Sequence, residues 1–433
     1  MKTVIMAGGK GTRISSIVAD IPKPMIPIAG IPVLEREICC LRNQGFKDII
    51  ITVSYLADCI IDYFRDGKFW DVNIEYFIED KPLGNAGALF KLREKLTNDF
   101  LLLNADSVFD VDFNRFTDYH KLKGGLVTLF THPNSHPYDS GLIIAGKDGK
   151  VEKWLAKEDD RPKWYRNRVN AGLHIMNTDF FDYVRIDSAL VGEDVNGTTI
   201  KVDLDRQILK PLCDMGKVFC YDSPEYVKDM GTPERYSSVC QDYLNGVITN
   251  KNLKNKQKAI FLDRDGTLNK DVGFLSNIND LELLPDVSET IKKINESEFL
   301  AIIITNQPVV ARGDITEEQL NQIHNKLETL LGDKGAYVDA IYYCPHHPDK
   351  GFKGEIPELK FECDCRKPKP GMIFKASKDY NIDLSASWMI GDSEKDIIAG
   401  RSAGCKTALI GNLDYGQDVC GKSIKECVEK ILI

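Results

Sequence analysis

Short apolar runs recur along the chain, and most of them end in small or polar residues. Thr3-Val4-Ile5-Met6 leads into Ala7-Gly8-Gly9-Lys10-Gly11-Thr12-Arg13, and Ala259-Ile260-Phe261-Leu262 leads into Asp263-Arg264-Asp265-Gly266-Thr267. Each pair predicts a buried first strand followed by a phosphate-type loop, the opening of an α/β domain. Further runs fall at 49–53, 100–103, 300–304 and 388–390. The last three lead directly into Asn104-Ala105-Asp106, Thr305-Asn306-Gln307 and Gly391-Asp392. In open α/β sheets ligands lie beyond the carboxyl ends of strands, so the pattern predicts one polar rim per domain. Residues 245–257, NGVITNKNLKNKQ, are polar and rich in Asn and Lys, which predicts a linker or exposed hinge. The expected organisation is a domain over 1–245, a linker over 246–257 and a second domain over 258–433. The expected class is α/β, with two doubly wound domains.

Composition narrows the partners. The chain has 433 residues, 43% hydrophobic and 28% charged, which is ordinary for a globular protein. No apolar run reaches the roughly 18 residues that span a bilayer, and MKTVIMAGGKGTR has no signal-peptide core. A cytoplasmic protein with no membrane partner is expected. A net charge of −9 argues against nucleic acid as a partner, while local backbone nests still suit small phosphates. Of twelve cysteines, the scattered Cys59, Cys213, Cys220, Cys240 and Cys405 read as small buried apolar groups. Cys344-Pro-His346-His347 and Cys363-Asp-Cys365 differ. Three thiolates and one imidazole make a closed tetrahedral Zn²⁺ set, structural rather than catalytic. Cys344, His346, Cys363 and Cys365 are the expected ligands, with His347 the alternative to His346, and the ion would staple the polar loop 345–362.

The glycine loop is neither a Walker loop nor a dinucleotide fingerprint. Its glycines and Arg13 can still wrap a triphosphate. It is followed by Pro22-Lys23-Pro24, Pro82-Leu83-Gly84-Asn85-Ala86-Gly87, Asn104-Ala105-Asp106, Asn170-Ala171-Gly172 and Lys228-Asp229-Met230-Gly231-Thr232-Pro233. In this order and spacing the set resembles the sugar-1-phosphate nucleotidyltransferases across residues 1–245. The resemblance implies a Rossmann-like domain. It implies that Gly8, Gly9, Gly11, Thr12 and Arg13 hold a nucleoside triphosphate, and that Lys23 neutralises the attacked phosphate. It places Pro82, Gly84 and Gly87 along base and ribose, Asp106 and Asp229 on Mg²⁺, and Asn170 and Gly172 on the sugar. Lys157, in Ala156-Lys157-Glu158, falls where the family grips the sugar phosphate. Ala105 stands where the family commonly has Gly.

Asp263-x-Asp265-Gly266-Thr267, Thr305, Lys367 in C-R-K-P-K-P, and Gly391-Asp392-Ser393-x-x-Asp396 resemble the haloacid-dehalogenase phosphatases. The likeness implies Asp263 as nucleophile, giving a labile acyl phosphate, and Asp265 as general acid, then base. Asp263, Asp392 and the backbone carbonyl of Asp265 would hold Mg²⁺. Thr305, Asn306 and Lys367 would bind the phosphoryl oxygens, with Asp396 supporting from behind. The C-P-H-H-P loop narrows the likeness to the D-glycero-D-manno-heptose 1,7-bisphosphate 7-phosphatases, in which Arg366 would read the second phosphate. Pro308-Val309 replaces the family's usual Ser-Gly.

Such a phosphatase releases heptose 1-phosphate, a substrate for the guanylyltransferase of the GDP-heptose route. The two likenesses therefore imply consecutive steps in one chain, on small-molecule substrates. No base-reading pattern separates GTP from other triphosphates at this stage. Two alternatives stay open: a mannose- or glucose-1-phosphate nucleotidyltransferase with a phosphatase of another metabolite such as histidinol phosphate, or a half that has kept only a binding role. Oligomeric state is not legible.

Overall fold

The structure is a computed structural model, and it describes residues 1–9, 21–195 and 198–432. Gly11, Thr12 and Arg13 lie outside the described residues. The chain forms two units. The first comprises Met1–His132, Gly141–Ala156 and Asn170–Asn252, and the second comprises Pro133–Ser140, Lys157–Val169 and Leu253–Ile433.

The first unit is built on a nine-stranded sheet. Its central strands β1 (Lys2–Met6), β2 (Asp48–Val53), β3 (Asn73–Ile78) and β4 (Asp99–Asn104) are parallel, in the order β4–β1–β2–β3. Alternation along these strands feeds two cores. Val4, Ile50, Phe100 and Leu102 pack on one face, and Ile5, Ile49, Ile51, Leu101 and Leu103 pack on the other. Strands covered on both faces read as continuous apolar runs, which is why the runs stood out. A separate ribbon pairs β5 (Ser107–Asp110) with β6 (Tyr226–Asp229), setting Asp229 opposite Ser107.

Two helices, α1 (Pro233–Leu244) and α2 (Val247–Asn250), follow the ribbon. The expected exposed hinge is corrected here. Val247 and Ile248 are buried with Val108, Tyr226 and Val239, and the Asn252 side chain donates to Asp110 Oδ1 at 2.6 Å. One apolar pair is enough to pull an otherwise polar stretch onto a core.

The second unit holds a six-stranded parallel sheet. Its strands are β7 (Lys258–Leu262), β8 (Phe299–Asn306), β9 (Ala340–Cys344), β10 (Trp388–Gly391), β11 (Lys406–Ile410) and β12 (Val419–Gly421), in the order β9–β8–β7–β10–β11–β12. Ile260, Leu262 and Ile303 face one core, and Phe261, Ile302 and Ile304 face the other. Helices α3 (Glu317–Gly332) and α4 (Glu394–Ala403) belong to this unit. Within it, Arg168 and Glu328 form a buried ion pair at 3.0 Å, and Tyr165 N–H donates to Thr329 Oγ1 at 2.9 Å. Cys213, Cys220 and Cys405 are buried as expected, but Cys59 is exposed and Cys240 only half-buried. Cys59 sits on a helix whose inward positions are Ile60 and Phe64, so its own position turns outward.

Candidate active sites

In the first unit a cavity of about 700 Å³ opens beyond the ends of β1 and β4. Gly8, Gly9, Lys23, Pro82, Gly84, Asn85, Asn104 and Asp106 line it. Gly84 has φ +87°, and a Cβ there would lie 2.3 Å from the Val202 carbonyl oxygen. Only glycine lets the 82–87 loop turn against the backbone at Val202. Ala105 is buried and its N–H bonds the Met6 carbonyl, so its methyl group is absorbed by the core. Gly172 abuts Asn104, with which a Cβ would collide at 2.5 Å. Asn170 Oδ1 accepts from Gly172 N–H. Lys157 is exposed and belongs to the second unit.

Both acidic residues expected on Mg²⁺ carry a cation here. Lys23 Nζ sits 2.5 Å from Asp106 Oδ2. Arg235 Nη1 sits 3.0 and 2.9 Å from the two Asp229 oxygens. Burial pushes the Asp229 carboxyl up, but the Gly231 N–H, Arg235 and Lys23 outweigh it and hold it below the usual range. Met230 N–H bonds the Asp106 carbonyl, so the two acids are close neighbours. Hard carboxylate oxygens suit a divalent cation, which would have to compete with Lys23 and Arg235 for them.

The second site lies at the ends of β7, β8 and β10, in a cavity of about 250 Å³ lined by Asp263, Asp265, Thr305, Asn306, Arg366, Lys367 and Asp392. Lys367 is 3% exposed and bridges Asp263 at 2.7 Å and Asp396 at 2.6 Å. Burial raises Asp263 to about 7, with Lys367 opposing and the neighbouring acids adding to the rise. Asp263, Asp392 and Asp396 offer oxygens within 4.8 Å of one another, a hard-oxygen set. Asp396 also accepts from Ser393 N–H and Oγ, so it caps α4 while it holds Lys367. Gly266 has φ +80°, and a Cβ there would lie 1.9 Å from Asp392 Oδ2; any side chain would push that carboxylate away. Asn306 exchanges hydrogen bonds with the backbone of Lys367, each at 3.0 Å. Pro308 and Val309 line the cavity in place of the polar pair.

Asp265 is the most heavily bonded group. Arg264 Nε and Nη2, Asn269 Nδ2 and Gln307 Nε2 all donate to it, at 2.8–3.1 Å. Burial raises its carboxyl, and Arg264, Asn269 and Gln307 together bring it below the usual range. Beside this site, Cys344, His346, Cys363 and Cys365 bring ligand atoms within 4.8 Å of one another. His347 instead accepts from Asp349 N–H. Arg366 Nη1 donates to the His346 carbonyl at 3.2 Å, which ties this cluster to the cavity wall.

The nucleotidyl transferase family model matches residues 2–246, more than half the chain. The chain belongs to the nucleotidyl transferase family. Residues 364–422 match the HAD-hydrolase-like model. The D-glycero-beta-D-manno-heptose-1,7-bisphosphate 7-phosphatase of Haemophilus ducreyi is 42% identical over 155 residues, covering 36% of this chain and 82% of the relative. That coverage places the chain in the family of this phosphatase too. The structure of HddC from Yersinia pseudotuberculosis shares 26% identity over 56% of this chain and 99% of its own, with a TM-score of 0.47. A D,D-heptose 1,7-bisphosphate phosphatase from B. bronchiseptica, solved with magnesium and phosphate, shares 34% identity over 41% of this chain and 98% of its own, with a TM-score of 0.36.

Four residues at the two sites escaped the sequence reading. Arg264 and Gln307 sit inside the quoted motifs, at positions where only burial shows their contact with Asp265. Arg235 follows Asp229 by six residues across a helix start. Glu79 lines the first cavity but stands in a charged Glu-Asp-Lys stretch that reads as surface.

Proposed function

We propose that this is a two-step enzyme of GDP-heptose biosynthesis, in which residues 258–433 act before residues 1–245. The second site removes the 7-phosphate of D-glycero-D-manno-heptose 1,7-bisphosphate. The Asp263 carboxylate attacks phosphorus and the P–O bond to the sugar breaks. Asp265, ionised at rest, takes up a proton from solvent as the substrate binds and hands it to the departing oxygen. It then takes a proton from water, which attacks the acyl phosphate and frees inorganic phosphate and Asp263. Thr305, Asn306 and Lys367 hold the phosphoryl oxygens, and Arg366 pairs with the remaining phosphate. Mg²⁺ on Asp263, Asp392 and the Asp265 carbonyl would offset charge there. Zn²⁺ on Cys344, His346, Cys363 and Cys365 would fix the loop that holds Arg366.

In the first unit, a phosphate oxygen of heptose 1-phosphate attacks the α-phosphorus of the triphosphate, and pyrophosphate leaves. The sugar phosphate is already anionic, so the protein's task is alignment and charge compensation. Lys23 and Arg13 supply positive charge to the phosphates, and Mg²⁺ on Asp106 and Asp229 would add to it. Asn170 and Gly172 address the sugar. Glu79 favours guanine. Its Oε2 accepts from Leu83 N–H, while Oε1 lies on the Gly8 side, where it can accept from N1–H and the exocyclic amine. Adenine offers no such ring N–H.

The observation that carries this reading is the presence in one chain of both charge sets, Lys23 with Asp106 beside Asp229, and Lys367 with Asp263 beside Asp265. The test is one mixture of full-length protein, Mg²⁺, heptose 1,7-bisphosphate and all four nucleoside triphosphates, read by mass spectrometry. GDP-heptose with released phosphate is expected. Heptose 1-phosphate accumulating with no nucleotide sugar would refute the first-unit assignment. Asp263→Asn should abolish phosphate release and leave nucleotidyl transfer from supplied heptose 1-phosphate intact.

A further inference from the structure

Arg235 stands in the first turn of α1, where its N–H caps onto Thr232 Oγ1. A cation in that turn opposes the helix dipole, so the position is unfavourable unless another interaction offsets it. Asp229 is an offsetting partner, both of whose oxygens lie within 3.0 Å of one guanidinium nitrogen. Arg235 is 27% exposed and Asp229 is 40% exposed, so neither is locked into the core. Asp229 Oδ1 also accepts from Gly231 N–H at 2.8 Å, and the Asp229 backbone is set by its strand pairing with Ser107. The carboxylate therefore does not need Arg235 for its position. The neighbouring Asp106 is matched in the same way by Lys23.

We propose that Arg235 is an exchangeable counter-ion: it occupies the Asp229 carboxylate in the metal-free site and is displaced when a divalent cation binds between Asp106 and Asp229. The inference rests on the reading of those two acids as the metal ligands. Its consequence is that Arg235 weakens metal binding in the absence of nucleotide, keeping the acids apart from free cation. A purely structural arginine would do the reverse, since its loss would loosen Asp229 and weaken the metal.

The test uses full-length protein carrying Asp263→Asn and Asp392→Asn, which leaves the second unit's cluster one carboxylate of three, and Mn²⁺ titrated without nucleotide while the free-ion EPR signal is followed. Arg235→Gln should bind Mn²⁺ about fivefold more tightly, the scale of a half-exposed ion pair. Arg235→Lys, which keeps the charge, should stay within about twofold of the parent. Asp229→Asn should abolish the first-unit binding. If Asp229→Asn leaves the isotherm unchanged, the metal reading falls and the proposal falls with it. If Asp229→Asn abolishes binding but Arg235→Gln binds at parental strength or more weakly, the counter-ion proposal alone is overturned.

Discussion

Replacing Arg264 by methionine removes a wholly buried cation and leaves its stem volume filled. Removing one partner of a buried ion pair costs about 3–5 kcal/mol. Two details place the loss at the low end. Asp265 keeps Asn269 and Gln307 as donors, and Arg264 Nη1 has no hydrogen-bond partner among the described residues, so part of the native charge is already uncompensated. The expected loss is about 3 kcal/mol at neutral pH, within the roughly 5–15 kcal/mol of a typical domain, so the variant stays folded. The sign with pH follows from the lowered Asp265 carboxyl. A depressed acid stabilises the fold above its unfolded value of about 3.9, and that contribution is lost as pH falls through the folded value. The variant should therefore lose most at pH 7 and distinctly less at pH 3. Urea unfolding of the full chain at both values measures this. Phosphate release should fall about a hundredfold or more, because the acid is no longer aimed, while nucleotidyl transfer is retained. A loss below about 1 kcal/mol at pH 7, or an equal loss at both values, would refute the assignment of Arg264 as the ion that holds Asp265.

Three further outcomes are expected. Burial holds His174 near about 4 and His324 near about 3, below the free value of about 6.5. Their stabilising effect is present above that value and lost as pH falls below it, and His174→Gln should remove about one proton from the slope of unfolding free energy against pH between about 4.5 and 6. His346→Ala should lose bound zinc by elemental analysis, while His347→Ala keeps it. Glu79→Gln should lower kcat/KM for GTP by about tenfold or more, since one acceptor facing guanine becomes a donor, and leave phosphate release unchanged.

The strands and the acidic motifs were legible because both are local. A buried parallel strand is a continuous apolar run, and its carboxyl end marks the rim, so Asp106, Asp263, Thr305 and Asp392 all fell where the runs ended. The Cys-His cluster was legible from spacing alone, and the structure brings together His346 rather than His347. What escaped depends on contacts distant in sequence. Nothing near Arg168 announces Glu328, 160 residues away. Residues 247–253 looked solvated because average polarity hides three apolar side chains, Val247, Ile248 and Leu253, that are buried. Arg264 reads as a spacer between two aspartates, and only its 0% exposure shows that it points inward.

The two sites meet one physical problem, carboxylates that must sit near phosphate anions, and they meet it differently. In the second unit the compensating cations are Lys367, 3% exposed, and Arg264, 0% exposed. Buried this deeply, neither can leave without stranding a charge in low dielectric, so both act as permanent parts of the scaffold. In the proposed mechanism Asp263 would accordingly keep a cation through attack and hydrolysis. In the first unit the cations are Lys23, 11% exposed, and Arg235, 27% exposed. Pairs in contact with water are worth little and exchange readily. That suits the proposed nucleotidyl transfer, in which the acids would form no covalent intermediate and the ligands would arrive and depart with their own charge.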